Sequence, residues 1–593
     1  MRPPPLPELR PLLSALGSAL RRGLRHSREG MRRIEAMDRA RLRAEARLMV
    51  LCGCFFLAFA LIGGRMAVFA ASEAPEPARG GSIEDPILGT RADIVDRQGR
   101  ILATNLATHS LYAQPHQMID PARAARELAA IFPDLNEERL LRDFTGERRF
   151  VWIRRQISPE QLQAVHDIGE PGLLFGPREM RLYPNGAIAA HILGGASYGR
   201  EGVNSAEVIG VAGVERFFDE RLRDPDLSDE PLVLSIDLSV QAALEEVLEG
   251  GMTLMNAKGA TGILMDAHTG EIVAMASLPD FDPNSRPPVA TSGDPGDSPL
   301  FNRALQGVYE LGSVFKIFPV AQGIELGLIN AETMIDTRGP MTWGRFRIRD
   351  FRNYGPALSA TDVIVKSSNI GTSRVALMIG AERQRRFLDS LGLLEPLPLE
   401  MVEARTGAPL LPRQWSEISL MTISYGHGLS VSPLHLAAGY AAMVNGGTRV
   451  VPTLLRRDEP QAGARVISPQ TSRIATSMLR QVVTRGTATF ADIPGYEVGG
   501  KTGTADKPTP RGGYYDDKVI STFAGMFPAS DPRWVIVVTL DEPVETSGAE
   551  PRRTAGWTAA PVAAEVIRRA APLLGLRPQV AAPQGGGVTL AAN

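Results

Sequence analysis

Six lysines stand among 64 basic residues, and the other 58 are arginine. The chain therefore uses arginine wherever a fixed positive charge suffices. A position that keeps lysine is a candidate for chemistry that needs a removable proton, because a desolvated amine can release one and a guanidinium cannot. The six are Lys258, Lys316, Lys366, Lys501, Lys507 and Lys518. Serine precedes only one of them by three residues, in Ser313-Val314-Phe315-Lys316. Residues i and i+3 share a helix face. A neutral Lys316 there can take the Ser313 proton as the hydroxyl attacks a carbonyl. A helix N-terminus would offer backbone N–H groups to the oxyanion that forms. Taken alone, the motif competes with a capping serine and a surface lysine.

Two further clusters follow. Ser367-Ser368-Asn369 supplies a hydroxyl that can shuttle a proton and an amide that can hold a peptide group by donor and acceptor together; its plain alternative is a turn. Gly499-Gly500-Lys501-Thr502-Gly503-Thr504 falls on an expected strand. Glycines there suit close approach of an extended peptide. Lys501 adds positive potential, and the hydroxyls of Thr502 and Thr504 can bind a carboxylate. A glycine-rich bulge with a solvated lysine is the plain alternative. The eight histidines include no close metal-ligand pair. His427, in Gly426-His427-Gly428, is a cleft candidate without an assigned role. Gly195-Ala196-Ser197-Tyr198-Gly199 matches a Gly-x-Ser-x-Gly elbow, but its polar, glycine-rich surroundings lack the strand–elbow–helix context of a hydrolase nucleophile.

The elements that must position these groups are legible in outline. Ala260–Met265 and Glu271–Ser277 read as strands joined by the turn Asp266-Ala267-His268-Thr269-Gly270. Helical patterns cover roughly 313–328, 361–395 and 431–445. Glu497–Thr504, Val519–Phe527 and Trp534–Leu540 read as three more strands, with Pro528-Ala529-Ser530-Asp531-Pro532 turning between the last two. Ala559–Leu574 reads as a helix. Two strands, then helices, then three strands predict an α+β domain over 231–575 whose sheet is closed by both ends of the segment. Residues 72–230 mix short strand-like runs with helical stretches such as Pro121–Phe132 and Pro159–Gly169. The tail 576–593, with Gly585-Gly586-Gly587, is expected to be disordered.

In the whole chain of 593 residues, 64 Lys and Arg nearly balance 66 Asp and Glu, which argues against wholesale nucleic-acid binding. A hydrophobic share of 44% excludes general disorder. The balance hides a local asymmetry: residues 1–47 hold twelve arginines against five acids. An uncharged run, Leu48–Gly64, follows. At 1.5 Å per residue it covers about 26 Å, near the lower limit for a spanning helix. Arg65 can snorkel, so the expected anchor runs over 48–71. A basic flank places residues 1–47 in the cytoplasm and the rest outside. A cleaved signal peptide ending near Val68-Phe69-Ala70 is the rival; its leader would be long, and Arg65 sits badly beside its apolar region. Both cysteines, Cys52 and Cys54, lie inside the span, so the exported part holds no disulfide.

Taken together, positions 313, 367 and 501 match in order and spacing the Ser-x-x-Lys, Ser-x-Asn and Lys-Thr-Gly motifs of the penicillin-recognising serine acyltransferases. Upstream, Arg91-Ala92-Asp93-Ile94-Val95-Asp96-Arg97-Gln98-Gly99-Arg100-Ile101-Leu102-Ala103 resembles a signature of class B penicillin-binding proteins. Arg181-Leu182-Tyr183-Pro184 through Ala190-His191-Ile192-Leu193-Gly194, and Gly210-Val211-Ala212-Gly213-Val214-Glu215, resemble the next two pedestal motifs. The similarity runs from about Leu48 to Leu574. Lys366-Ser367-Ser368-Asn369-Ile370-Gly371 and the single short anchor look most like the division-specific transpeptidase, the FtsI type; the elongation-specific relative is the nearer competitor. Ala92, Ala212 and Leu311 replace a usual glycine, glutamate and proline, all outside the three catalytic motifs.

The resemblance implies an elongated mixed α/β pedestal over 72–230 and a transpeptidase domain with a five-stranded, mainly antiparallel sheet flanked by helices. It implies a periplasmic peptidoglycan D,D-transpeptidase on an inner-membrane anchor, acylated by β-lactams. Ser313 would be the nucleophile, Lys316 the base and Ser367 the proton relay. The backbone N–H groups of Ser313 and Thr504 would form the oxyanion hole. Asn369 and the strand Lys501, Thr502, Gly503, Thr504 would hold a stem peptide ending in D-Ala-D-Ala. No metal or organic cofactor is implied. A membrane glycan polymerase of the SEDS type and other division proteins are the expected partners. A β-lactamase of class A would need Glu-x-x-x-Asn between Asn369 and Lys501, and no such spacing occurs. A β-lactam sensor without cross-linking activity stands as the other alternative, although 47 residues are short for a cytoplasmic effector.

Overall fold

A computed structural model describes residues 91–579 apart from 202–205, 345, 458, 462 and 510–511, together with residues 49, 51–60 and 62. Of the expected anchor, residues 51–60 are helical. No described helix is long and apolar enough to cross a membrane; the tail 1–47, residues 48, 50, 61 and 63–71 of the anchor, residues 72–90 of the pedestal and residues 580–593 lie outside the described residues. Met1–Asp85 forms one unit and Pro86–Asn593 another.

Within the second unit, the pedestal region is built on a five-stranded sheet. Its strands are Ile94–Val95, Ile101–Ala113, Val151–Ile157, Leu173–Leu182 and, entering parallel to the first, Leu232–Val233. Helices Pro121–Ile131, Glu137–Thr145 and Pro159–Ile168 cover it. Each has a side-chain cap at its N-terminus, from Asp120, Asn136 and Ser158, which satisfies an otherwise orphaned backbone donor. The pedestal motifs meet in one buried network. Arg91 Nε donates to Glu215 Oε2 at 2.7 Å, and Arg181 Nε donates to Glu215 Oε1 at 2.7 Å. Arg91 also reaches Asp219 at 2.8 Å. Two guanidinium groups around two carboxylates keep charges paired where burial would otherwise be costly. Ser197, by contrast, lies in a two-stranded ribbon opposite Ile209, so the Gly-x-Ser-x-Gly match has no elbow.

The downstream domain begins with helix α1 (Leu238–Leu254) and the hairpin β1 (Gly259–Asp266) and β2 (Ile272–Leu278). Next come α2 (Ile317–Glu325), α3 (Asn369–Ile379), α4 (Pro433–Val444) and α5 (Pro469–Arg485). Strands β3 (Gly499–Pro508), β4 (Tyr514–Phe527) and β5 (Trp534–Asp541) and helix α6 (Ala559–Leu573) close the domain. The sheet order is β3-β4-β5-β1-β2, and every pairing is antiparallel. The chain thus closes the sheet by laying β5 against β1, the expected topology.

Strand β5 shows why both faces are covered. All eight of its residues are buried. Trp534, Ile536, Val538 and Leu540 join a core with Leu244 and Leu248 of α1 and Ile567 of α6. Val535 and Val537 join a second core with Leu436 and Tyr440 of α4. Side chains alternate across a sheet, so an unbroken apolar run is required where helices pack on both sides. Each fully buried Val, Leu or Ile contributes roughly 1.5–3 kcal/mol. Edge strand β3 leaves one side of its backbone unpaired by the sheet, and the nucleophile segment comes up against that strand.

Candidate active site

Gly312–Lys316 forms a 3₁₀ turn that runs into α2. An ordinary α-helix from 313 was the expectation from sequence. In the tighter turn, i and i+3 eclipse, and Lys316 Nζ lies 2.9 Å from Ser313 Oγ. Tight packing fixes the turn against β3. Gly312 has φ +64°, and a Cβ there would stand 2.7 Å from the Thr504 carbonyl oxygen. A Cβ on Gly503 would run into the Leu311 carbonyl oxygen, and one on Gly426 into the Gly312 backbone. Three glycines therefore let three backbones converge beside Ser313.

Ser367 occupies the turn between helix Ala360–Val365 and α3. Its φ is +63°, a left-handed conformation that costs a non-glycine residue on the order of 1–3 kcal/mol. Surrounding contacts hold it there. Lys316 Nζ donates to the Ser367 carbonyl at 2.6 Å and lies 3.0 Å from Ser367 Oγ. Lys501 Nζ also lies 3.0 Å from Ser367 Oγ and donates to the Thr502 carbonyl at 2.9 Å. One hydroxyl thus bridges two lysines.

Both amines are fully buried. Burial drives the Lys316 pKa well below that of a free lysine; the Lys501 charge lowers it further, and Asp350 only partly opposes. Burial alone brings Lys501 down to about 7. A neutral amine has two N–H donors and one lone pair. Lys316 can spend both donors on Ser367 and receive the Ser313 proton on the lone pair. That is the arrangement of a general base already in contact with its nucleophile.

Asn369 opens α3. The Ser368 hydroxyl accepts from the Gly371 N–H at 2.9 Å and donates to Asp350 at 2.7 Å, while the Ile370 N–H donates to the same carboxylate at 3.0 Å. Asn369 Nδ2 donates to the Arg349 carbonyl at 2.9 Å. On β3, Thr502 Oγ1 lies 2.6 Å from Thr487 Oγ1, and Thr504 Oγ1 accepts from the Ala555 N–H at 3.0 Å. Each threonine hydroxyl therefore already has a protein partner, and that of Thr504 keeps its own proton for a ligand. The structure thus brings Ser313, Lys316, Ser367, Lys501, Thr502, Gly503 and Thr504 into one linked constellation, with Asn369 two residues beyond the shared hydroxyl. Among the described residues, no three His, Cys, Asp or Glu side chains converge to hold a metal ion.

Several contributors were not read from sequence: Asp350, Thr487, Glu310 and Tyr514. Glu310 accepts from the Gly428 N–H at 2.6 Å and from the Tyr514 hydroxyl at 2.9 Å. It thereby ties the segment before Ser313 to the loop before α4 and to β4. His427 sits in this corner, with its ring 5.4 Å from Tyr425 and 6.2 Å from Tyr514. Burial lowers its pKa and Lys316 reinforces the shift, while Glu310 opposes it. No local pattern marks these residues, because their partners are remote in the chain. Three of the other four lysines do plainer work: Lys258 pairs with Asp297, Lys507 with Asp541 and Lys518 with Glu542.

A serine touching a proton-poor lysine, a second serine shared with a second buried lysine, and an open edge strand beside them define a serine acyltransferase with an extended-substrate cleft. Comparison with known families agrees. The penicillin binding protein transpeptidase domain matches residues 260–568, and the penicillin-binding protein dimerisation domain matches 86–226. The chain belongs to the penicillin-binding protein transpeptidase family. A probable peptidoglycan D,D-transpeptidase FtsI of Caulobacter vibrioides is 34% identical over 578 residues, covering 93% of this chain and 95% of that one. The peptidoglycan D,D-transpeptidase FtsI of Escherichia coli is 29% identical over 530 residues, covering 84% and 87%. Among solved structures, penicillin binding protein 3 of Mycobacterium tuberculosis complexed with ampicillin superposes with a TM-score of 0.63 at 26% identity, covering 84% of this chain and 97% of that one.

Proposed function

We propose that this chain is a peptidoglycan D,D-transpeptidase of septal wall synthesis. The observation that carries the reading is the position of Lys316 Nζ, 2.9 Å from Ser313 Oγ and 3.0 Å from Ser367 Oγ in a buried site. Ser313 attacks the carbonyl of the penultimate D-Ala of a stem peptide, and its proton passes to Lys316. The backbone N–H groups of Ser313 and Thr504 stabilise the oxyanion. Ser367 relays the proton to the departing amine, the C–N bond breaks, and the terminal D-Ala leaves. Asn369 and the edge of β3 hold the peptide, with Lys501, Thr502 and Thr504 toward its carboxylate. The amine of a neighbouring stem peptide then attacks the ester and forms the cross-link. Its proton returns through Lys316, and Ser313 is released. β-Lactams acylate the same hydroxyl because they resemble the D-Ala-D-Ala end.

The sequence around Lys366–Gly371 and the relatives named FtsI support the division role over the elongation role. In this reading, residues 48–71 anchor the chain in the inner membrane with 1–47 cytoplasmic. The pedestal (72–230) and the transpeptidase domain (231–575) stand in the periplasm, beside a SEDS-type glycan polymerase. The test is covalent labelling by a fluorescent penicillin, followed by assay for cross-linked product. Wild type labels and Ser313→Ala does not. Equal labelling of the two would defeat the assignment.

A further inference from the structure

Between the nucleophile turn and Ser367, the chain forms a hairpin that acyl transfer leaves unused. Strands Met341–Trp343 and Phe346–Ile348 pair in the register Met341↔Ile348, Thr342↔Arg347 and Trp343↔Phe346. Opposed residues of an antiparallel pair share a face, and successive residues alternate. One face therefore carries Met341, Ile348, Trp343 and Phe346. At its base, Met341 and Ile348 are buried with Ile370 and Met421, and Tyr425 packs against that cluster. At its tip, Trp343 is 37% and Phe346 46% exposed, and Phe351 just beyond is 89% exposed. An apolar strip thus runs from the Tyr425 corner of the cleft out to two partly exposed rings and one that is almost fully exposed. The opposite face carries Thr342 and Arg347, and Arg349 and Arg352 follow, all exposed.

Charge narrows what could cover this surface. Residues 343–352 contain four arginines and one acid, Asp350. That acid is already engaged by Ser368 and Ile370. Exposed rings beside arginines suit a ligand that offers apolar ring faces together with carboxylates. The hairpin is also bonded to the substrate-holding turn, through the Arg349 carbonyl to Asn369 and through Asp350 to Ser368. A chain held at Asn369 meets the hairpin as an adjoining wall.

The geometry points to a docking site for an acidic glycopeptide strand, its sugar rings lying on Trp343, Phe346 and Phe351 and its peptide carboxylates paired with Arg347 and Arg352. This rests on the transpeptidase reading, whose substrate is such a strand. The test uses the full chain in detergent with soluble, uncross-linked glycan–peptide fragments, and it follows binding and fluorescent-penicillin labelling separately. The double variant Arg347→Glu, Arg352→Glu and the single variant Phe351→Ala should each weaken fragment binding about tenfold. Penicillin labelling of both should match wild type, and wild-type binding should weaken with salt. Unchanged fragment affinity in both variants would overturn the docking site, including the case in which cells carrying them lose only a protein partner. Failure of wild type to label at all would defeat the transpeptidase reading instead.

Discussion

Lys501 is held in the site at a cost to the fold, and replacing it by methionine exposes that cost. A free lysine titrates near 10.5, and burial brings this one to about 7. At 1.36 kcal/mol per pH unit, the fold loses about 4 kcal/mol at pH 7 by binding this proton less well than the unfolded chain does. The sign follows from proton counts. Between about 7 and 10.5 the unfolded chain holds more protons at this group, so stability rises with pH across that window and the penalty is gone above it. Methionine removes the penalty but also the hydrogen bonds to Ser367 Oγ and the Thr502 carbonyl, each worth about 1 kcal/mol net. The net gain is roughly 2 kcal/mol at pH 7, and above pH 10.5 a loss of about 2 kcal/mol, that of the two hydrogen bonds, replaces it. Thermal unfolding of wild type and Lys501→Met at pH 7 and near pH 10.5 reads this difference. Penicillin acylation, measured alongside, should fall sharply as stability rises. A variant destabilised equally at both pH values would refute the buried, proton-poor lysine.

Lys316→Arg should fold and yet lose acylation by about 10²–10⁴-fold, because a guanidinium cannot accept the Ser313 proton; labelling at the wild-type rate would sink the base assignment. On its acid side, the wild-type acylation rate should persist well below pH 10.5 and fall as pH drops through the lowered Lys316 value. Stopped-flow acylation across pH tests this, and a rate that climbs until pH 10.5 contradicts it. Gly312→Ala must place a Cβ 2.7 Å from the Thr504 carbonyl oxygen at φ +64°. It should cost roughly 1–3 kcal/mol and slow acylation by displacing β3; unaltered thermal and labelling behaviour would show the contact to be slack. Asp350→Ala should cost about 1–3 kcal/mol through the unsatisfied Ile370 N–H and Ser368 hydroxyl. It should slow acylation through Asn369, with Asp350→Asn milder in both readouts.

What the sequence disclosed depends on how local each cause is. Chemistry dictates residue type at Ser313, Lys316 and Lys501, so those positions stand out wherever the chain folds. Burial on both faces dictates the apolar run of β5, so that strand was legible too. The helical pattern over 361–395 is interrupted in the chain at Lys366–Ser368 and again at Gly380. The first break exists because Ser367 must present both its carbonyl and its hydroxyl to two lysines remote in sequence. Helix α5 escaped the sequence reading although Ser468 and Pro469 mark its start and Ser468 caps it. Its exposed face is polar, and that diluted the apolar period. Strand β4 begins at Tyr514, where the reading placed Val519, because residues 514–518 are mostly exposed and show no alternation. Glu310, Asp350 and Tyr514 act only through partners far along the chain.

The scarcity of lysine carries less weight alone than in combination with burial. Lys258, Lys507 and Lys518 form ion pairs that an arginine could also make. What separates Lys316 and Lys501 is that both are fully buried, share one hydroxyl and, among the described residues, have no carboxylate within ion-pair distance. Two ammonium groups around one neutral oxygen would repel each other in a medium that screens poorly, so the pair favours holding one proton between them. The arrangement keeps one amine ready to accept while the other remains able to attract an anion. Acid–base catalysis of ester formation needs the first, and recognition of a carboxylate terminus needs the second. Arginine at either position would fix the charge and remove that division of labour. The replacement of Lys501 by arginine separates the two roles: binding of an anionic donor should survive, while acylation loses the alkaline limb that a titrating amine imposes. A retained alkaline limb in Lys501→Arg would show that the limb belongs to another group.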